Sequence, residues 1–424
     1  MSQFLLAATG EDLLINDNSV EWVEPSVADK TLDEVESKFS GTVGYIAAIE
    51  RPAALYDVVR DAVDDGNYPG AIAATGALNE GLQAYVEVES FPTRTSVMGL
   101  LSRPGNLDML SIHKHIATME GFFGEVADKI KAFFKWCYEK IANVGGMIKG
   151  WFTSKDNDAI KAKLETIKDK RLSQYEVKGA TYTYNGDKPL TSSVQLASSV
   201  SKVAELFKRY HDYVNQVNTH LNELATDEGR LKDNANNDTA LSTFIGNINK
   251  VIADKKTDEV WLGFTFRPSN KSQSDEKGLF GKVIFALRSQ KTDRSGKSTD
   301  EDVPVTPAYK MDVVGKDLIT AHGHFEAAEK SANEFTSDLE KLMSRLKVVE
   351  TALSNKADEE NSAKVYKTVR TALEVSGDVI KNIGQASTRL AEAKKYWCIT
   401  VVDAVESGSE KSKSEGTKKP EDNK

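Results

Sequence analysis

The chain has 424 residues, enough for two or three domains, and its 40% hydrophobic and 8% aromatic content supports real cores. Its formal charge of −9 is unevenly placed: residues 1–120 hold 7 Lys and Arg against 19 Asp and Glu, while 121–424 hold 48 against 45. No apolar run reaches the roughly 18 residues of a membrane span, and Cys137 and Cys398, far apart in apolar surroundings, exclude a disulfide framework.

The two cysteines read as buried free thiols of a reducing compartment, with a single long-range bridge as the weaker alternative. Met1–Ala8 lacks a positive n-region and runs into Glu11 and Asp12, so a secretory signal is not expected. In 1–120, short helical patches (29–39, 53–63, 68–82) are broken by Gly41, Gly44, Pro52, Gly66, Pro69 and Gly70. This acidic segment reads as a small, loosely packed helical domain or a pro-region, its many acids arguing against a tight core.

The strongest periodic signal follows. From Phe123 the apolar positions Val126, Ile130, Phe133, Cys137, Ile141, Val144, Ile148 and Trp151 recur at steps of three and four, which predicts a helix over 122–152 with one continuous apolar stripe. Lys129, Lys131, Lys135, Lys140 and Lys149 occupy the other side, and Gly145-Gly146 is a candidate kink. Together with a short charged helix over 156–172, this forms a second segment, 121–172.

Residues 173–406 read as a helical domain with a small β insert. Tyr175–Tyr184, Val260–Phe266 and Val283–Leu287 have β character and predict a three-stranded antiparallel sheet set among helices. Helices are predicted from Ser192 or Ser193 to Leu224, over 241–253, from Lys310 to Ser354 and from Ala363 to about Val405, the last two joined as an antiparallel hairpin. Polar loops are expected over 267–282 and 289–302. Residues 407–424 contain no apolar side chain, so a disordered tail is expected. The fold class is thus mainly α, a bundle of long helices and hairpins with a small antiparallel β insert.

No catalytic residue, metal site or cofactor is expected. Gly278-Leu279-Phe280-Gly281-Lys282 has the wrong spacing for a phosphate loop and no Ser or Thr after the lysine. His113/His115 and His322/His324 stand at i, i+2, which splays two imidazoles apart; ordinary surface or capping histidines are expected. A site around His322, His324 and Asp317 would need a third convergent group.

The stripe of 122–152 leaves three readings open. Burial in a bundle core is the commonest fate of such a stripe. A membrane-interface face built from Phe123, Val126, Ile130, Phe133, Ile141, Ile148 and Trp151 is the sharper one, weakened by Glu125, Asp128 and Glu139 among the lysines. Docking of the same face to a partner protein or a second copy is the third. The lysines after 120 form no nucleic-acid patch, so any DNA contact would be weak, non-specific and salt-sensitive.

The run Ala117-Thr118-Met119-Glu120-Gly121-Phe122-Phe123, followed by Lys129-Ile130-Lys131-Ala132-Phe133-Phe134-Lys135-Trp136, resembles the internal head proteins of very large tailed bacteriophages. The resemblance implies a non-enzymatic virion structural protein, made in the host cytoplasm and packed inside the capsid with other head proteins. It also implies an N-terminal propeptide removed by a prohead protease after a small-residue-x-Glu motif. Here that places the cut after Glu120, across Thr118, Met119, Glu120 and Gly121, with threonine where serine, alanine or glycine is more usual. Ser19-Val20-Glu21, Ala48-Ile49-Glu50 and Ala332-Asn333-Glu334 fit the motif as well; Glu120 stands out because it coincides with the charge boundary and the start of the predicted helix. The alternative is a membrane-active or injected helical effector using 122–152.

Overall fold

The computed structural model describes residues 25–86, 109–152, 154–177, 181–186, 188–257, 259–268, 283–286, 309–354 and 362–415. Five long helices carry the core: α1 (Pro25–Asp64), α3 (Met109–Trp151), α5 (Ser193–Leu224), α8 (Gly315–Ser354) and α9 (Ser362–Lys395). Shorter ones are α2 (Tyr68–Val86), α4 (Ser154–Thr166), α6 (Glu228–Asn236), α7 (Asp238–Lys255) and α10 (Val401–Glu415), the last joined to α9 by a π turn over Tyr396–Thr400.

Side-chain pairs fix the helix directions. Ser193 Oγ donates to Asp317 Oδ2 at 2.5 Å, Phe207 stacks on Phe335 at 6.1 Å, and Lys341 Nζ donates to Asn215 Oδ1 at 3.3 Å, so α5 and α8 run parallel. Ser192 caps α5 by accepting from Gln195 N. Glu329 on α8 meets Lys394 on α9, consistent with the expected antiparallel hairpin.

The mainly helical class with a small antiparallel β component is thus observed, but the predicted three-stranded sheet is not. Among the described residues there are instead three separate two-stranded ladders: β1 (Arg171–Val177) with β6 (Tyr309–Val314), β2 (Tyr184–Asn185) with β3 (Lys188–Pro189), and β4 (Phe264–Pro268) with β5 (Val283–Ala286). Residues 310–314, predicted as the first turns of a helix, belong to the strand β6. They pair with β1 across a bulge between Leu172 and Tyr175, where Gln174 takes φ +58° and its N–H reaches Asp312 Oδ1 at 3.3 Å. The aromatic run of β4 stays with the helices: Phe264 packs on Phe207, and Phe266 on Tyr210 and Tyr213, with centroids 5.3–5.5 Å apart.

Other boundaries move as well. The backbone of α10 remains helical past Ser407 to Glu415, which corrects the start of the expected tail. Arg267 and Pro268, expected in the loop over 267–282, belong to β4; the rest of that loop, the expected loop over 289–302, the motif at 278–282 and the break over 355–361 lie outside the described residues.

The largest departure is in the acidic segment. Gly41, Gly44 and Pro52 do not break it; α1 is one 40-residue helix with Pro52 inside. An interior proline ordinarily costs about 3 kcal/mol, so packing must hold this helix together. Leu32, Val35, Phe39, Ile46, Ile49, Tyr56 and Val59 are all at most 4% exposed. Residues 25–64 are a core element, not a loosely packed appendage.

Candidate functional site

Every stripe position of 123–151 is buried on α3, including Phe123, Val126, Ile130, Phe133, Ile141, Ile148 and Trp151. This corrects their reading as an open membrane or partner face: in this fold they are satisfied by the chain's own core. The helix also begins at Met109, thirteen residues before the predicted start at 122.

The main neighbour of α3 is α8, where Tyr138 donates to Glu350 at 2.7 Å, and α1 packs on α3 as well. Phe133 receives Phe39 edge-on at 5.0 Å, Phe123 meets Tyr56 at 5.2 Å, and Lys140 Nζ pairs with Glu34 at 2.8 Å. Lys38 lies 4.7 Å above the Trp136 ring, and Lys129 lies 5.4 Å from the Tyr45 ring. As numbering rises along α1 it falls along α3, so the two helices are antiparallel. The aromatic-lysine run is thus a receptor for the acidic front segment, and the charge boundary in the sequence becomes a complementary contact in space.

The expected cleavage residues lie within α3. Met119 is fully buried, Glu120 is part-buried and Gly121 continues the helix; the side chain of Thr118 lies outside the described residues. Burial first, then the neighbouring Glu120 carboxylate, pushes the Tyr56 hydroxyl up to about 12. Of the histidine pairs, His113 and His115 lie on the first turns of α3 with side chains outside the described residues. Asp317 is tied to Ser193, and no group of three metal-ligating side chains occurs among the described residues.

His322 belongs to a cluster that sequence reasoning missed. His322, Glu326 and Glu329 stand at i, i+4 and i+7 on α8, facing Lys394 of α9 and Asn157 and Lys161 of α4. Lys394 Nζ donates to both Glu329 Oε1 and Asn157 Oδ1, and Asn157 Nδ2 donates to Glu329 Oε2 at 3.2 Å. Glu326 pairs with Lys161 at 2.7 Å and lies 3.8 Å from His322 Nδ1. Glu329 and Lys394 are 3% and 6% exposed, so this is a buried ion pair, stabilised only if its remaining polar groups are also met. Burial pushes the Glu329 carboxyl above its ordinary value against the pull of Lys394 and Asn157.

The π turn roofs the cluster. Trp397 is fully buried and donates to the Tyr182 carbonyl at 3.1 Å; Cys398 is buried beside the Lys394–Glu329 pair. Both cysteines are free and buried, as expected, and burial raises both thiols far above their ordinary value, which opposes thiolate formation. A cavity of about 370 Å³ lies alongside, lined by Trp151, Ile160, Lys163, Lys394, Lys395 and Ile399.

The cluster has a pH signature. Burial, opposed by Glu326 and reinforced by Lys394 and Lys161, lowers the His322 imidazole to about 4. The folded state therefore holds it neutral, while the unfolded state takes up a proton below about 6.5. Stability present above that pH is lost as pH falls towards 4, by at most about 3 kcal/mol. Urea unfolding at pH 6.5 and 4.5 should show His322→Leu losing less stability than the parent over this interval; equal losses would remove His322 as the cause. The raised Glu329 acts in the opposite sense and is present in both proteins.

No family model, no curated protein and no solved structure matches this chain.

Proposed function

We propose that the chain is a non-enzymatic structural protein of the virion of a very large tailed bacteriophage, packed inside the head with other head proteins and matured by a prohead protease after Glu120. The observation that carries this reading is the double role of α3. The run from Ala117 to Trp136 that bears the resemblance also holds the acidic helix α1 through Phe133, Trp136 and Lys140. A chain organised in this way has its pro-segment and its mature part joined at one helix.

The placement of Glu120 adds a constraint. A protease acts on extended backbone, and the Glu120–Gly121 bond lies in a helix beside buried Met119. Cutting there proceeds from a locally opened state, before α1 has docked or while α3 frays at that point. Self-association and weak, salt-sensitive DNA contact fit the same setting. No described helix is long and apolar enough to cross a membrane.

N-terminal sequencing of the protein taken from its native particle tests the reading. The expected mature start is Gly121; a chain beginning only at Met1 would remove the processing step and the main support for a head protein.

A further inference from the structure

The acidic helix α1 lies in a groove whose other walls are α3 and α9, with contacts from Phe123 to Lys140 on the one and from Ala363 to Gly384 on the other. Against α9, Phe39 seats at Gly377 and Leu32 at Gly384. A Cβ on Gly377 would come 2.6 Å from the Phe39 ring, and one on Gly384 would come 2.2 Å from Leu32 Cδ2. Both the knobs and the notches are seven residues apart, so the side chains of one helix enter gaps of the same period on the other. Towards the other end, Arg370 Nε donates to Glu50 at 2.5 Å, and the Ala363 N–H reaches Asp57 at 3.4 Å.

Charge follows the same geometry. α1 holds eight acidic against four basic residues, α3 four against six, and α9 three against seven. Glu34 pairs with Lys140 of α3, Glu36 with Lys381 of α9, and Glu50 with Arg370. Apolar knobs set the register, and Glu34, Glu36 and Glu50 beside them each pair with a basic residue of a wall.

We propose that the α3–α9 groove is a helix-binding site specific for the acidic segment 25–64, and that it retains this segment as a non-covalent partner when the chain is cut anywhere between α2 and Phe123. That range includes Glu120 and lies ahead of the α3 residues, Phe123 to Lys140, that hold α1. The inference deepens the reading above: processing after Glu120 then leaves α1 in place, and the basic groove stays covered until a second event removes it. Cleavage alone does not release the acidic charge.

The test uses the full chain with a site-specific protease recognition sequence inserted between residues 86 and 109, folded intact and then cut. Size-exclusion chromatography with mass analysis in about 0.15 M salt is expected to show both fragments eluting together at the intact size. Elution of the front fragment by itself would overturn the proposal. A charge swap then tests the electrostatic selection. Glu50→Arg should speed fragment release about tenfold, and Glu50→Arg with Arg370→Glu should restore retention; a single variant with unchanged release would overturn the role of charge. These outcomes are independent of the native cut. A native start at Met1 removes processing and leaves the groove, whereas a released fragment removes the groove and leaves processing.

Discussion

Glu329→Ala is expected to destabilise the fold by about 3–5 kcal/mol, whereas replacing Glu329 and Lys394 together by methionine should change stability by no more than about 1–2 kcal/mol in either direction. The asymmetry follows from burial. Both side chains are nearly inaccessible and hold one another and Asn157 in one network. Removing only the carboxylate leaves an ammonium without its counter-charge among α4, α8 and α9, while removing both removes the desolvation cost with the attraction. Denaturant unfolding of the two variants checks it. Equal costs for the single and double changes would mean that the pair contributes by packing and not as charges.

This cluster also shows where sequence reading stops. His322, Glu326 and Glu329 occupy the i, i+4, i+7 spacing that on α8 otherwise belongs to core residues such as Phe335, Leu339 and Leu342. That spacing was visible, and a titratable group at each position was the signal to follow. The partner residues on α4 and α9 are 65 or more positions away from Glu329 in the chain, and no local pattern pointed to them. The same limit explains the strands: β1 and β6 pair across more than a hundred residues, and a strand finds its partner through tertiary packing and not through its own propensity.

The stripe of α3 was legible because that helix turns one dominant face inward, so period and burial coincide from Phe123 to Trp151. On α1 the buried positions Ala28, Leu32, Val35, Phe39, Ile46, Ile49, Ala53, Tyr56 and Val59 also recur at steps of three and four, or their sum, but the glycines and the proline along that helix mask the stripe in the sequence. Gly41, Gly44 and Pro52 then suggest breaks that tertiary contacts override. A high acidic count suggested a weak core, yet the acids lie beside the buried positions and pair with basic residues of two neighbouring helices. The folded state determines whether a charge is a solvated surface group or half of a contact, and composition alone does not.

Phe39→Ala gives the sharpest measure of that integration. Phe39 is 4% exposed, meets Phe133 edge-on at 5.0 Å and fills the notch at Gly377. Truncating such a buried aromatic costs about 3–5 kcal/mol through lost transfer energy and the cavity left behind. The expected result is a loss of that size in the unfolding of the whole chain, in one transition with the rest of the core. A front segment that folded independently, or not at all, would give a change near zero in the main transition. Gly377→Ala supplies the complementary change, because its new Cβ meets the Phe39 ring and overpacking of this kind costs about 1–3 kcal/mol. Combining it with Phe39→Ala should recover part of that cost, since the smaller residue vacates the space the new methyl needs. Strictly additive costs would place the two side chains out of contact and undo the α1–α9 register from which the groove is drawn.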